Sequence, residues 1–247
     1  MTLAIIGTAG RGPDARMLTA SHWRMMTCVA QTVACTLGAD QLVSGGSVWA
    51  DHCAVDLYLA GHAKHLTLHL PCTFEKRFEA GPVGRRLNEL HDQFGCETHL
   101  DTWGQIAEAR MRGATIHVNP GGFKARNTDV ARDADTLLAF TFGPIGTEGG
   151  TADTWAKFRE AVRARFMDAH LHYQESPCGC SNNLPDAYHA YHFDLTTRTL
   201  TRHVYEDPTT EAEREAAWKE DEQRKAEREI AWRASHVPTP RTPEEDA

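Results

Sequence analysis

Three short apolar runs in this sequence end in glycines and lead into helical patterns. The runs are LAIIG (3–7), QLVSGG (41–46) and DTLLAFTFG (135–143), and glycines continue after the third run as far as Gly150. A short continuous apolar run is typical of a strand that is buried on both faces of a sheet. Another strand is predicted at HLTLHLP (65–71). The sequence therefore predicts a buried sheet in which three strands end in glycine loops.

Helical patterns alternate with these strands as far as residue 166. SHWRMMTCVAQTVACTL (21–37) begins at an N-cap serine and ends at Gly38. Further helices are predicted through ADHCAVDLYLAG, within 74–113, at ARNTDVARDA and over 151–166. Strands that alternate with helices form an α/β fold, with a mostly parallel sheet covered on both faces. Because ligands bind at the carboxyl ends of such strands, we expect the glycine loops to share one edge of the sheet.

The glycine loops predict a site for an anion. A helix start carries unpaired backbone N–H groups and the positive end of the helix dipole, and glycine lets a phosphate approach the backbone closely. Gly149, Gly150 and Thr151 would present amides and a hydroxyl at the start of the last helix. A turn that needs glycine only for its positive φ is the alternative for each loop alone. Three loops on neighbouring strands favour the anion site.

Two common nucleotide-binding signatures are missing from the sequence. The first loop, GTAGRG (7–12), reads G-x-x-G-x-G and not the dinucleotide pattern G-x-G-x-x-G. The second strand ends in SGG (44–46), where an acidic residue would bind an adenosine ribose. No G-K-[ST] sequence occurs. These features exclude a nicotinamide dehydrogenase of the common kind and a P-loop NTPase.

Four motifs follow one another between residues 3 and 166. They are Gly7-Thr8, Gly45-Gly46 with Ala50-Asp51, Arg126-Asn127, and Gly150-Thr151-Ala152-Asp153. Together they resemble the SLOG superfamily, in particular its YspA-like branch. The resemblance implies a Rossmann-like parallel sheet that binds a nucleotide or a nucleotide-derived molecule. Relatives include cytokinin-activating phosphoribohydrolases, DNA-processing proteins, and ligand-sensing modules of bacterial and phage conflict systems.

The sequence departs from the family pattern at several points. Trp49 stands where the family has a third glycine, and the segment before Arg126 is longer than usual. GPIGTEGGT replaces the family's Pro-Gly-Gly before Gly-Thr, so an alignment through Gly146-Thr147 stays open, although it leaves Asp153 unmatched. These departures affect the identity of the ligand more than the fold.

The resemblance also implies how a ligand would lie. A phosphate is expected at the Gly150–Thr151 loop, and a base or ribose near Asp51 and the first loop. No cofactor is required by this interpretation. The predicted ligand-binding residues are Gly7, Thr8, Arg11, Ser44, Gly45, Gly46, Arg126, Asn127, Gly149, Gly150 and Thr151.

Three carboxylates, Asp51, Asp153 and Glu148, are candidates for catalysis. Cleavage of an N-glycosidic bond needs an anion to stabilise the oxocarbenium-like sugar and an acid to assist the leaving base. Both aspartates fall in the first turn of a predicted helix, where capping is the alternative role. The phosphoribohydrolases have a glutamate three residues after Gly-Thr, and that position is Thr154 here. Their mechanism therefore does not transfer directly.

The pattern changes after residue 166. AYHAYHFDLTTRTLTRHVY (187–205) predicts a β-hairpin within a Cys/His-containing segment, 167–205. A capping box then opens a charged helix over 206–236. A solvated helix and a partner-binding helix both stay open for that segment. A disordered tail is predicted over 237–247.

Two H-x-H and C-x-C pairs within the Cys/His-containing segment could supply four tetrahedral zinc ligands, His170, His172, Cys178 and Cys180. The spacing is not the common C-x₂-C, so a chance cluster of loop residues is the alternative. A metal at this point would be structural and would attach the hairpin to the body.

Charge and cysteine content indicate which partners and which cellular location to expect. Of the formal charge of −8, the segment 206–247 carries −6 and residues 1–205 carry −2, which argues against duplex nucleic acid. No apolar run is long enough to span a membrane, and the N-terminus lacks the features of a signal peptide. Five of the seven cysteines, Cys28, Cys35, Cys53, Cys72 and Cys96, lie inside apolar patterns and are typical of reduced cytoplasmic thiols. We expect a cytoplasmic protein, and its aliphatic helices permit a homodimer.

Three functions follow from these patterns. The favoured one is a protein that senses or sequesters a nucleotide-derived phosphorylated ligand at the glycine loops. The first alternative is a hydrolase that cleaves the N-glycosidic bond of a nucleoside monophosphate. The second is an interaction protein that acts through its charged helix.

Overall fold

The computed structural model describes residues 1–79, 81–175 and 187–206, with ten residues between 215 and 228. These residues form an α/β fold. Its strands are β1 (Thr2–Gly7), β2 (Gln41–Ser44), β3 (His65–Leu70), β4 (Thr115–Val118), β5 (Thr136–Thr141), β6 (Tyr188–Asp194) and β7 (Thr199–Tyr205). Its α-helices are α1 (Ala20–Leu37), α2 (His52–Leu59), α3 (Pro82–Thr98), α4 (Thr102–Met111), α5 (Gly122–Asp133) and α6 (Gly150–Glu175).

All seven strands join one sheet in the order β4-β3-β2-β1-β5-β6-β7. The neighbours from β4 to β6 run parallel, and β7 returns antiparallel to β6. The apolar runs of β1 and β5 are almost fully buried, as expected for central strands between two helical layers. The predicted α/β class with a mostly parallel sheet is confirmed.

The order of the strands decides where the glycine loops lie. β1 stands between β2 and β5, and all three run parallel. Their carboxyl ends therefore lie side by side, about 5 Å from one strand to the next. The expectation that the three loops share one edge is confirmed.

Two strands differ from the sequence prediction. The predicted hairpin is present as β6 and β7, but β6 pairs with β5 and so extends the sheet. β4 was not predicted. It is an edge strand with largely exposed side chains, so it lacks the buried apolar run by which β1, β2, β3 and β5 were recognised.

The ends of α1 show how local chemistry sets a helix. The helix begins two residues earlier than predicted, with Thr19 and not Ser21 at the N-cap. At its other end Gly38 adopts the left-handed conformation, φ 61°, as the sequence predicted.

The sheet belongs to one compact unit, Met1–Val162 with Pro185–Glu206. A second unit comprises Arg163–Leu184 and Asp207–Ala247. Within the predicted charged helix, Glu206 is not helical, whereas the ten residues described between 215 and 228 are helical, and Lys219 pairs with Glu215 at 2.7 Å. The predicted capping box and the tail over 237–247 lie outside the described residues.

Two uncharged histidines lie in the core beside α2 and α3. His52 and His91 are both fully buried, and their ring centroids are 5.9 Å apart. His52 Nε2 contacts Gln105 at 2.9 Å, and His91 Nδ1 contacts Thr102 at 3.1 Å. Burial lowers the pKa of His52 to about 4. Burial and the neighbouring His52 lower the pKa of His91 to about 3.

These histidines predict a loss of stability in mild acid. Below pH 6.5 these two histidines bind protons in the unfolded chain but stay uncharged in the folded protein. The free energy of unfolding therefore falls as the pH falls toward about 4. Between pH 6.5 and pH 5 we expect a loss of about 2 kcal/mol for each histidine. Urea unfolding at a series of pH values measures it. His52→Gln should make the free energy of unfolding depend less on pH. His65→Gln, a control at an exposed position, should leave the pH dependence unchanged. Identical pH profiles for wild type and His52→Gln would contradict the assignment.

Candidate functional site

A cavity of about 450 Å³ opens at the carboxyl ends of β1 and β5. Its walls come from the first glycine loop, the start of α2, the first half of α5, and the loop that leads into α6. Eight of the predicted ligand-binding residues line it: Gly7, Thr8, Arg11, Arg126, Asn127, Gly149, Gly150 and Thr151. Two of the three predicted catalytic carboxylates, Asp51 and Glu148, line it as well, and Asp153 does not.

The remaining predicted ligand residues, Ser44, Gly45 and Gly46, lie outside the cavity lining. Ser44 is fully buried, and its hydroxyl donates to the backbone oxygen of Asp51 at 2.8 Å. A Cβ atom at Gly45 would lie 1.1 Å from Nη1 of Arg126. This second loop therefore needs glycine to make room for an arginine side chain, and its contacts are with the protein itself.

A buried ion pair forms one end of the cavity. Arg126 Nη1 donates to Asp51 Oδ2 at 3.0 Å, and the two side chains are only 10% and 8% exposed. The backbone N–H of Ser47 donates to the same oxygen at 3.3 Å. Burial raises the pKa of Asp51, and the charge and hydrogen bond of Arg126 oppose that shift. The carboxylate of Asp51 thus holds Arg126 and does not cap α2.

Asn127, the next residue of α5, contacts the start of α6. Asn127 Nδ2 donates to Asp153 Oδ2 at 2.8 Å, and Lys157 Nζ donates to the same oxygen at 2.9 Å. Partial burial works to raise the pKa of Asp153, but the hydrogen bonds from Asn127 and Lys157 outweigh it and lower the pKa. Two adjacent residues of α5 therefore connect the start of α2 to the start of α6.

The start of α6 presents free backbone donors beside the cavity. Within the described part of the chain, the N–H groups of Gly150, Thr151 and Ala152 have no hydrogen-bond acceptor, and the first intrahelical bond runs from Asp153 to Gly149. Gly149 precedes the helix with φ 95°, a conformation that side chains rarely adopt. Glu148 lies one residue earlier and is exposed. The uncapped amides and the helix dipole make this end of the cavity attractive to an anion.

Two guanidinium groups approach one aromatic ring at the opposite wall. Arg11 lies 4.7 Å and Arg126 lies 5.7 Å from the ring centroid of Phe123. Arg11 makes no salt bridge with any acidic residue that the structure describes. Arg126 Nε and the hydroxyl of Ser47 are buried and lack partners among these residues. Unsatisfied polar groups in a cavity wall are a feature of sites that receive a ligand or a water molecule.

Several lining residues were missed by the sequence analysis. Asp14 accepts a hydrogen bond from the Thr8 hydroxyl at 2.5 Å, so one carboxylate also faces the first loop. Phe123 and Phe142 supply aromatic surface. Asp14 and Phe123 lie outside the four motifs and the apolar runs, and Phe142 lies in the apolar run 135–143 but was not singled out as a site residue. Phe123 does follow the GG pair at 121–122, which was the available signal.

Trp49 has an unusual backbone conformation a few residues after the second glycine loop. It stands where the resemblance has a glycine, and its φ of 55° is left-handed. Its ring packs against Phe94 with centroids 4.7 Å apart, and 6% of the residue is exposed. The backbone keeps the conformation that glycine adopts easily, and core packing of the indole offsets the strain.

The predicted zinc ligands are not placed by the structure. Cys178 and Cys180 lie outside the described residues, as do the side chains of His170 and His172. In the part of the chain that is described, no three His, Cys, Asp or Glu side chains are arranged to hold a metal ion. None of the helices described is long and apolar enough to cross a membrane.

Comparison with known proteins gives one informative similarity. No protein-family model matches the chain, and no solved structure does. "Uncharacterized protein R261" of Acanthamoeba polyphaga mimivirus is 39% identical over 120 residues, which cover 48% of this chain and 65% of that protein. The chain thus spans less than two thirds of the relative, whose name states no activity.

The buried ion pair predicts a specific stability effect. Arg126→Met should lower the free energy of unfolding by about 3–5 kcal/mol, because it leaves Asp51 charged and buried without a cation. Adding Asp51→Asn removes that charge and should restore part of the loss. Urea unfolding of the single and double variants measures both values.

The control for this experiment is Arg132→Met on the same helix. Arg132 is 65% exposed and pairs with Asp129 at the surface, so the change should cost less than about 1 kcal/mol. If Arg126→Met cost no more than Arg132→Met, the importance assigned to the buried pair would be wrong.

Proposed function

We propose that this protein senses or sequesters a nucleotide or nucleotide-derived phosphorylated ligand in the cavity at the ends of β1 and β5. The observation that carries the proposal is the uncapped start of α6. Its three free N–H groups border a cavity that also contains an arginine without an acidic partner in the described residues.

A phosphate group would bind at Gly150 and Thr151. Successive amides at a helix start can each donate to a phosphate oxygen, and the helix dipole favours the negative charge. The hydroxyl of Thr151 adds a donor, and Gly149 brings the backbone close without a Cβ atom. Arg11 at the far wall would contribute positive charge from the other side.

The rest of the cavity suits a base and a ribose. Phe123 and Phe142 offer aromatic surface for a base, and Val130 adds apolar contact. The carboxylate of Asp14 is a natural acceptor for ribose hydroxyls. The cavity volume is in the range of small-molecule sites.

The resemblance to the SLOG superfamily supports the same ligand class, because its members bind nucleotides or nucleotide-derived molecules. The motif residues of the resemblance meet at this cavity or brace its walls. The five described cysteines are free thiols, which supports a cytoplasmic location as part of the proposal. A nucleotide-derived small molecule is the proposed partner. A homodimer remains compatible with it.

N-glycosidic hydrolysis is the second candidate, and Glu148 favours it. Its exposed carboxylate lines the cavity beside the proposed phosphate position. Asp51 and Asp153, by contrast, are engaged with Arg126 and with Asn127 and Lys157. Among the three candidate carboxylates, Glu148 is the one that can act on a leaving base without giving up a cationic partner.

The binding proposal predicts a requirement for the phosphate. Isothermal titration with AMP, GMP, CMP and UMP should detect binding of at least one of them, and the matching nucleoside should bind at least tenfold more weakly. Thr151→Val and Arg11→Met should each lower the affinity for the nucleotide about tenfold, because each removes a hydrogen-bond donor to the ligand. Thr128→Val and Arg16→Met, at exposed positions of α5 and of the short 3₁₀ helix Gly12–Arg16, are the controls. Equal affinity for nucleoside and nucleotide would refute the phosphate site.

Turnover separates the two candidates. If the protein is a binder, incubation with these four nucleotides should leave them intact, and chromatography should show no free base. Release of a base would favour the hydrolase, and Glu148→Gln should then lower the rate by at least a hundredfold while nucleotide affinity is retained. Hydrolysis that survives Glu148→Gln would exclude Glu148 as the acid.

A further inference from the structure

The strand β6 contacts the loop that leads into α6 through two polar side chains. Thr141, at the end of β5, donates its hydroxyl proton to the backbone oxygen of Gly143 at 2.6 Å. With its proton on Nε2, His192 of β6 donates to that hydroxyl oxygen at 2.7 Å. His192 is 9% exposed, so the contact is shielded from water. The histidine therefore orients the threonine that holds the loop's first carbonyl group.

Asp194 holds the other polar group of the same glycine. Its Oδ1 accepts from the backbone N–H of Gly143 at 2.9 Å and from the N–H of Thr196 at 2.8 Å. These bonds lower the pKa of Asp194, although partial desolvation acts in the opposite direction. Leu195 N–H donates to the backbone oxygen of Thr141 at 2.8 Å. One carboxylate thus fixes both the β6–β7 turn and the start of the loop.

The loop itself depends on these contacts. Gly143 has φ 75°, and the loop from 142 to 149 has no regular secondary structure. Among the described residues, Thr141 and Asp194 each form a hydrogen bond with Gly143, and the next backbone hydrogen bond along the loop runs from Asp153 N–H to the oxygen of Gly149. Of the five residues between these points, 144–148, three line the cavity: Pro144, Gly146 and Glu148. The loop is therefore held at its two ends, one by β6 and one by α6.

We infer that His192 and Asp194 are positioning residues, through which the hairpin sets the conformation of the ligand-binding loop. The inference rests on the proposed function, since it assigns the loop to ligand binding. A loop that is ordered before binding loses less conformational entropy when the ligand binds. The affinity of the protein for the ligand is therefore higher. Neither residue lines the cavity, and each acts through Thr141 or Gly143.

Hydrogen exchange tests the effect on the loop without any ligand. Asp194→Ala should speed amide exchange across 142–149 about tenfold and leave β1 unchanged. Asp194→Asn keeps an acceptor oxygen and should exchange nearly as wild type does. Thr199→Ala is the matched control, because Thr199 is exposed and pairs with Asp194 across the hairpin. If Asp194→Ala and Thr199→Ala exchanged alike in the loop, the positioning role would be refuted.

Titration with AMP, GMP, CMP and UMP links the loop to binding. Asp194→Ala and His192→Leu should each lower the affinity for the nucleotide about tenfold relative to wild type. Asp194→Asn and His192→Gln should retain most of the wild-type affinity. Full affinity with a loosened loop would overturn the inference and leave the proposed function standing. Failure of all four nucleotides to bind wild type would instead reject the proposed function, and the inference with it.

Discussion

The buried ion pair between Asp51 and Arg126 is the interaction on which the cavity depends. Removing either partner would leave a largely buried charge without its counter-ion, which is among the more costly single changes in a folded protein. The pair fixes α5 against the start of α2, and Gly45 leaves the room that the arginine needs. Because Asn127 follows directly, α5 holds the start of α6 as well. The dipeptide Arg126-Asn127 thereby connects two walls of the cavity, the start of α2 and the start of α6.

This arrangement bears on what the site can do. Two of the three candidate carboxylates are engaged in holding helices, while main-chain donors at the start of α6 are left without acceptors in the described structure. That balance is why we propose capture of an anionic ligand over catalysis, with Glu148 as the residue for the hydrolytic alternative. The hairpin extends the sheet and braces the loop from behind, so a segment outside the four motifs contributes to the same site.

Sequence patterns predicted the parts of the fold that follow from burial. β1, β2, β3 and β5 are short apolar runs because both of their faces are covered, and that signal is visible without a structure. β4 is an exposed edge strand, so no such signal exists for it. The second glycine loop was predicted to touch a ligand, whereas its Gly45 accommodates Arg126. A glycine that makes room for a ligand and one that makes room for a side chain look the same in a sequence.

The sequence alone determined the class of the fold, the presence of glycine loops before helices, and the donors at the start of α6, since each depends on residues adjacent in the chain. Only the tertiary structure decided which carboxylates are engaged, because Asp51 and Arg126 are 75 positions apart and meet through the packing of α5 on the sheet. It also decided the place of the hairpin. Strand order in a sheet is set by which apolar faces and helices pack together, and no local pattern records that choice.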